Sequence, residues 1–300
     1  MQMLYSMSRD KKLDYEDALK QYRVNIRKSF ELYLFSLLHL MRVAQYARQD
    51  AAIRAAKLRP TDEDMQFSAK LGENTLIQSI EESKSFNRLI KHYGFDEQFD
   101  EDKLRQIYTE FSETDEYKAY LAKSDTDAED HRQILLSLYK HCIGSEMFTD
   151  VIEDNFPLWV DDESLIIGAI KKTIKALPAD EDFHEDYRPQ LETTVDFGEV
   201  LFKNVYEQDK ELLEIIEPTL KNWDAERVAV MDMILLKMAI SELLTFPTIP
   251  TKVTLNEFVE ISKLYSTDKS KDFINGILDR LLKKLDKEGK IHKEGRGLQE

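Results

Sequence analysis

The side chains best suited to chemistry lie together in residues 266–276, STDKSKDFING. This stretch opens a helical pattern and carries Lys269, Lys271, Phe273 and Asn275. Backbone N–H groups at a helix N-terminus attract phosphate, and two lysines add to that attraction. An ordinary helix start with its lysines in solvent explains the same residues, and physics alone leaves both readings open. Asn275-Gly276 reads as structural. A small residue permits close helix packing, and the Asn side chain ties neighbouring backbone.

No other constellation supports catalysis. His131 and His141 are ten residues apart, off any i, i+4 metal face, and six histidines with one cysteine give no zinc spacing. Carboxylates cluster at Glu153-Asp154, at Asp161 to Glu163 and at Glu181 to Asp186. Read as having no paired basic or histidine group, they are expected to be solvated surface. There is no Gly-x-Gly-x-x-Gly or Gly-x-x-x-x-Gly-Lys phosphate loop and no Gly-x-Ser-x-Gly elbow. The chain is therefore expected to be no enzyme and to need neither cofactor nor metal.

Positioning falls to residues 226–285, which read as three amphipathic helices and two tight connections. In the first, Val228, Met231, Ile234, Leu235, Met238 and Leu243 fall close to one face of a 3.6-residue period. Pro247 and Pro250 stop it. Thr254 precedes Glu257 by three, the spacing of a capping box. The third helix carries Phe273, Ile274, Ile277, Leu278, Leu281 and Leu285 on its apolar side.

These residues resemble the C-terminal signature of the NusB family of transcription antitermination factors. That signature has a Pro-x-Lys-Val pair, an Asn-Glu on the next helix and a Lys-x-Phe-(Val/Ile)-Asn-Gly-(Val/Ile)-Leu-Asp run. The matching positions are Pro250, Lys252, Val253, Asn256, Glu257, Lys271, Phe273, Ile274, Asn275, Gly276, Leu278 and Asp279. The resemblance reaches back to about Val195, through Phe197, Leu201 and Tyr206. At the other end of the chain, Gln2, Leu4, Tyr5 and Ser6 match a Gln-x-Leu-Tyr-Ser-like run of the family's first helix. The arginine-rich segment before that run has no counterpart in this sequence. The expectation is either a start further upstream or RNA binding without that segment.

Before the signature, Tyr15 to Leu58 reads as one long helix, with its aromatics in the core. Arg59 to Asp64 is a break. Residues 73–180 form a second helical series, with Asp127 as a cap of one helix and Asp161 or Asp162 of another. Pro178 to Pro189, two prolines around five acids, reads as a linker, and Thr193 or Thr194 caps the helix that follows.

Composition agrees with an all-α class. Glycine and proline are scarce, at 9 and 7, and no alternating period-2 run suggests a sheet. A single cysteine, Cys142, allows no intramolecular disulfide and suits a reducing cytoplasm. No apolar run approaches the ~20 residues of a membrane span. The formal net charge of −16 opposes nucleic acid overall. Its distribution is uneven: Lys20 to Arg59 holds nine Lys/Arg against two acids, a local +7. From Lys252 to Glu300 eleven bases face nine acids. Either a binding footprint or solvated helix faces account for this.

The expected fold is an all-α helical bundle in three parts. Residues 1–180 form a helical N-terminal half, 190–286 a NusB-like C-terminal bundle, and 287–300 a basic, disordered tail. The resemblance implies an RNA-binding antitermination factor acting with NusE, a small-subunit ribosomal protein, on boxA-like single-stranded RNA in ribosomal RNA transcripts, at the RNA polymerase elongation complex. By position matching, Tyr5, Lys252, Lys269, Lys271 and Phe273 would contact RNA. Asn256, Glu257, Asn275 and Gly276 would serve a partner or the fold. The alternative is a helical protein-interaction module without RNA. An enzyme of the rRNA cytosine methyltransferase type, with its N-terminal NusB-like domain, is disfavoured because no Gly-rich loop follows.

Overall fold

The computed structural model describes residues 1–62, 64, 67–220, 227–267 and 270–298. Among these the protein is all-α, with no strand. Residues group into two compact units. A middle unit comprises Ile26–Arg188, and a terminal unit joins Met1–Asn25 to Pro189–Glu300. This grouping differs from a division near residue 180, because the first 25 residues pack with the C-terminal helices. Counting charges over these ranges gives −12 for the middle unit (21 basic, 33 acidic) and −4 for the terminal unit (21 basic, 25 acidic).

Helix α1 spans Gln2–Arg9, and α2 spans Tyr15–Ala55. The unit boundary falls inside α2. The middle unit continues with α3 (Thr75–Glu82), α4 (Lys84–Tyr93), α5 (Glu101–Ser112) and α6 (Asp115–Ala122). Then come α7 (Ala128–Ile143), α8 (Glu146–Asn155) and α9 (Trp159–Ala176). Short polar side chains start most of these helices by accepting the first orphan N–H groups. Asn74, Ser83, Asp100 and Thr114 do so, and Asp127 with Asp130 forms a full capping box. Asp161 and Asp162 do not cap α9. They lie in its first turn, and Leu158 occupies the cap position. Helix α7 packs against α3, α6, α8 and α9 around one apolar core, to which α2 contributes Tyr33, Leu34, Phe35 and Leu37.

The segment between Pro178 and Pro189 is not a bare linker. Phe183 and Tyr187 pack on the middle core, His184 is buried, and the Arg188 guanidinium lies 4.5 Å over the Phe30 ring. These four aromatic or amphipathic side chains suffice to anchor an acidic strap that has no apolar helical period. The basic stretch of α2 is also less available than its sequence suggests. Arg23, Arg42, Arg48, Arg54 and Lys57, five of the nine bases, pair with Glu199, Asp96, Glu81, Asp50 and Asp64.

In the terminal unit a π-helix, Glu192–Glu199, leads into α10 (Val200–Glu207) and α11 (Asp209–Ile216). Helices α12 (Val230–Thr245), α13 (Thr251–Tyr265) and α14 (Ser270–Lys287) follow. No Thr193 or Thr194 cap is present; the Tyr22 hydroxyl donates instead to the Thr194 carbonyl, at 2.9 Å. Helix α12 is central and touches α1, α10, α11, α13 and α14. It is buried almost all round rather than on one face, as a helix enclosed by others must be.

Residues 288–298 fold back on this unit. Ile291 packs against its core, the Lys293 amine donates to the Phe246 carbonyl at 2.9 Å, and the Glu294 N–H donates to the Pro247 carbonyl at 3.0 Å. A Cβ on Gly297 would lie 1.9 Å from the Pro247 oxygen, so only glycine fits there.

Candidate functional site

Helices α13 and α14 pack together and are joined by a four-residue connection, so they run antiparallel as a hairpin. Pro250 sets the start of α13. It occupies the N-cap with φ −60°, and no side chain caps the helix. Thr254 is therefore not a capping-box residue. It lies one turn inside α13, fully buried. Its hydroxyl faces Glu242 of α12, whose carboxyl is pushed above its ordinary value, first by burial, against the opposing effect of Thr254 and Lys293. Lys252, Asn256 and Glu257 are exposed on α13 and, among the described residues, make no side-chain hydrogen bond or ion pair. Lys252 and Asn256 are four apart and share a face.

The start of α14 is built around a carboxylate that sequence reading passed over. Asp232, in the first turn of α12, is buried. It accepts from the Ser266 hydroxyl at 2.5 Å and from the Ser270 hydroxyl at 2.8 Å. Thr267 and Ser270 hydroxyls are 2.9 Å apart. The α14 N-terminus thus already receives an anion from within the protein, which favours the structural reading of that terminus over phosphate capture by its N–H groups. Its serine-rich approach, Ser266-Thr267 with Ser270, was the available signal. Finding the acid partner requires the tertiary contact.

Beyond this turn Lys271 and Asn275 are exposed, and Phe273 is half-buried against the terminal core. Among the described residues Asn275 ties no backbone. Lys269 lies outside the described residues. Gly276 is no close-packing glycine: a Cβ there would meet nothing within 4 Å. The hairpin brings Lys271, Phe273 and Asn275 together at one end. Lys252 sits at the other, about 20 Å away along α13 at 1.5 Å per residue. Tyr5 projects from α1, 38% exposed, and α1 packs on α12. A shallow groove of about 350 Å3, which Tyr5 does not line, lies between Met3 and Ser6 of α1 and residues 13–24, Lys20 and Gln21 among them.

One arrangement in the middle unit has the outline of a hydrolase triad. The Ser85 hydroxyl and His184 Nε2 are 3.0 Å apart, and His184 Nδ1 lies 3.3 Å from a Glu185 oxygen. Its chemistry is closed off. Ser85 and His184 are buried, the Ser85 hydroxyl donates to the Glu181 carbonyl, and Glu185 is held by Arg188 at 2.6 and 2.7 Å. The group latches the strap of residues 178–188 onto the start of α4. Among the described residues no cluster of His, Cys, Asp or Glu can hold a metal ion, and no helix is long and apolar enough to cross a membrane.

An all-α terminal unit built on a central helix, with an exposed helix hairpin, makes this part of the chain a helical bundle domain. Residues 166–283 match the NusB family, and the chain carries a NusB family domain there. The chain is similar to the transcription antitermination protein NusB of Salinibacter ruber, 44% identical over 106 residues, which is 35% of this chain and 66% of that protein. It is 48% identical over 77 residues to NusB of Chloroherpeton thalassium, covering 26% and 36% of the two chains. With NusB of Natranaerobius thermophilus it shares 47% identity over 74 residues, covering 25% and 53%. The chain thus spans less than two thirds of the length of each relative. No solved structure matches it.

Proposed function

We propose that this chain is a non-catalytic transcription antitermination factor of the cytoplasm. It acts with NusE on boxA-like single-stranded RNA in ribosomal RNA transcription, at the RNA polymerase elongation complex. The observation that carries the reading is the α13–α14 hairpin. Its residues up to 283 lie within the NusB family match, and it leaves Lys252 and Lys271 exposed, with no ion pair among the described residues. Lysines of this kind contact phosphate, while an aromatic edge such as Tyr5 or Phe273 stacks on an unpaired base. The terminal unit carries only −4 of the −16, so it opposes RNA far less than the whole chain does.

RNA binding by this chain alone is weak, and a basic partner that also touches the RNA raises the affinity by adding contacts. The test is titration of boxA-like RNA with and without NusE. Tighter binding in the ternary mixture supports the reading. NusE binding with no gain in RNA affinity over NusE alone replaces it with the protein-interaction module. The pairing of five of the nine bases between Lys20 and Arg59 favours that second reading.

A further inference from the structure

Two tyrosines at the edge of the terminal unit form a surface that the RNA reading does not use. Tyr206 on α10 is 45% exposed, yet its ring stacks on Tyr15 at 4.9 Å and 23°. Phe202, one turn earlier on α10 and buried, stacks on the same Tyr15 ring at 5.2 Å and 28°. Phe202 and Tyr206, spaced i, i+4, thus both stack on Tyr15, which is half-buried. Tyr206 is the exposed ring of the three, and braced by Tyr15 it presents an open face on which a ligand can dock.

The charges beside it select the ligand. Glu16 follows Tyr15, and Glu207 follows Tyr206. Both are exposed. Glu16 has no ion pair among the described residues, and Glu207 has only Lys203 at 3.9 Å. Burial first, then Glu16, Glu199 and Glu207, raise the Tyr15 phenol above its ordinary value, and Arg23 opposes them. The rings therefore lie within the field of these carboxylates. Phosphate is repelled from such a place, whereas a cation gains both the ring face and the carboxylates.

We propose that the Tyr15–Tyr206 stack and its flanking glutamates dock an arginine of a basic segment in a partner protein. Arginine fits better than lysine because its planar guanidinium stacks on a ring and reaches a carboxylate with its forked donors. This surface is independent of the hairpin and holds whether or not the chain binds RNA.

The test uses the full chain and two fluorescein-labelled peptides of equal charge, one alternating Gly and Arg, the other Gly and Lys. Anisotropy is read at about 0.15 M salt, where long-range attraction is screened. The Arg peptide binds about three- to fivefold tighter than the Lys peptide. Tyr206→Leu removes that preference, and Tyr206→Phe keeps it. Glu16→Gln with Glu207→Gln weakens both peptides, while Glu260→Gln on α13 does not. Tyr206 is half-exposed, so all variants remain folded, with at most a small drop in melting temperature where the stack is lost, and thermal unfolding checks this. No arginine preference in the wild type, or one that survives Tyr206→Leu, overturns the proposal. So does a loss of single-stranded RNA binding in Tyr206→Leu with peptide binding unchanged, which would make the platform a nucleic-acid surface.

Discussion

The Ser270 hydroxyl, at the first residue of α14, donates to Asp232 of α12 at 2.8 Å, across 38 residues of sequence. With Ser266 as a second donor, the buried carboxylate fixes the turn from which Lys271 and Phe273 project. Asp232→Ala removes the acceptor of two hydroxyls, one of them buried. A cost of about 2–3 kcal/mol is expected, since hydrogen bonds to charged groups contribute about 1.5–3 kcal/mol each and are not additive. Asp232→Asn keeps an acceptor and loses less. Urea unfolding measures both, and amide exchange in the first turn of α14 rises before the rest of the unit opens.

A second contact separates two glycines that look alike in sequence. A Cβ on Gly198 would lie 2.0 Å from the Tyr22 hydroxyl, which holds the Thr194 carbonyl. That hydroxyl takes the acceptor an α-helix would give to the Gly198 N–H, and the turn opens to π geometry. Gly198→Ala is expected to cost about 1–3 kcal/mol through overpacking. Tyr22→Phe relieves part of that cost, so the double-mutant cycle gives a nonzero coupling. Gly276→Ala has open space and an α-helical interior, and is expected to stabilise by about 0.5–1 kcal/mol. Thermal unfolding of the three variants checks the contrast.

These cases show where sequence reading stops. Helices were legible in part: α7 from its period with the Asp127 cap, and α2 from its period across 41 residues, whereas α5 and α6, capped by Asp100 and Thr114, were not singled out within the 73–180 series. The hairpin was legible from its prolines and from the family signature. Thr254 misled because its spacing to Glu257 suits a cap, while Pro250 had already started the helix. The 178–188 strap misled because a few side chains, Phe183, His184, Tyr187 and Arg188, anchor it with no apolar period to find. Asp232 was missed for a simpler reason: one acid in an apolar helix has no local signal, and its partners, Ser266 after the end of α13 and Ser270 at the start of α14, lie more than 30 residues later.

His39 sets a pH dependence in the middle unit. It is buried, and its ring stacks on Phe148 at 4.0 Å, with neither nitrogen hydrogen-bonded. Burial first, and then Lys103, lower its pKa to about 3. Above the unfolded value of about 6.5 both states are neutral and the group contributes nothing to the pH dependence. As pH falls from there towards 3, the unfolded state takes up a proton that the folded state refuses. Stability then drops, by up to about 1.4 kcal/mol per pH unit. Denaturant titrations at pH 7 and pH 5 are expected to differ less in His39→Leu than in wild type. An equal difference in both would remove His39 as the cause.

The lysines of the hairpin permit a test by salt. Lys252 and Lys271 stand about 20 Å apart along α13, too far to share one phosphate. On the RNA reading each meets its own phosphate, and each phosphate neutralised contributes about −0.7 to the slope of log K against log salt on a single strand. Lys252→Glu and Lys271→Glu are therefore each expected to weaken boxA-like RNA binding and to flatten that slope by about 0.7, and the double variant by about twice that. Lys269→Glu with Lys271→Glu is expected to act in the same direction while leaving NusE binding intact. Phe273 separates packing from recognition. A wholly buried Phe costs about 3–5 kcal/mol when cut to Ala, and a half-buried one less. If Phe273 stacks on a base, Phe273→Ala lowers RNA affinity with a modest loss of melting temperature. A large loss of melting temperature with the salt slope unchanged assigns Phe273 to the core. Slopes unchanged in both lysine variants remove the hairpin from the RNA surface.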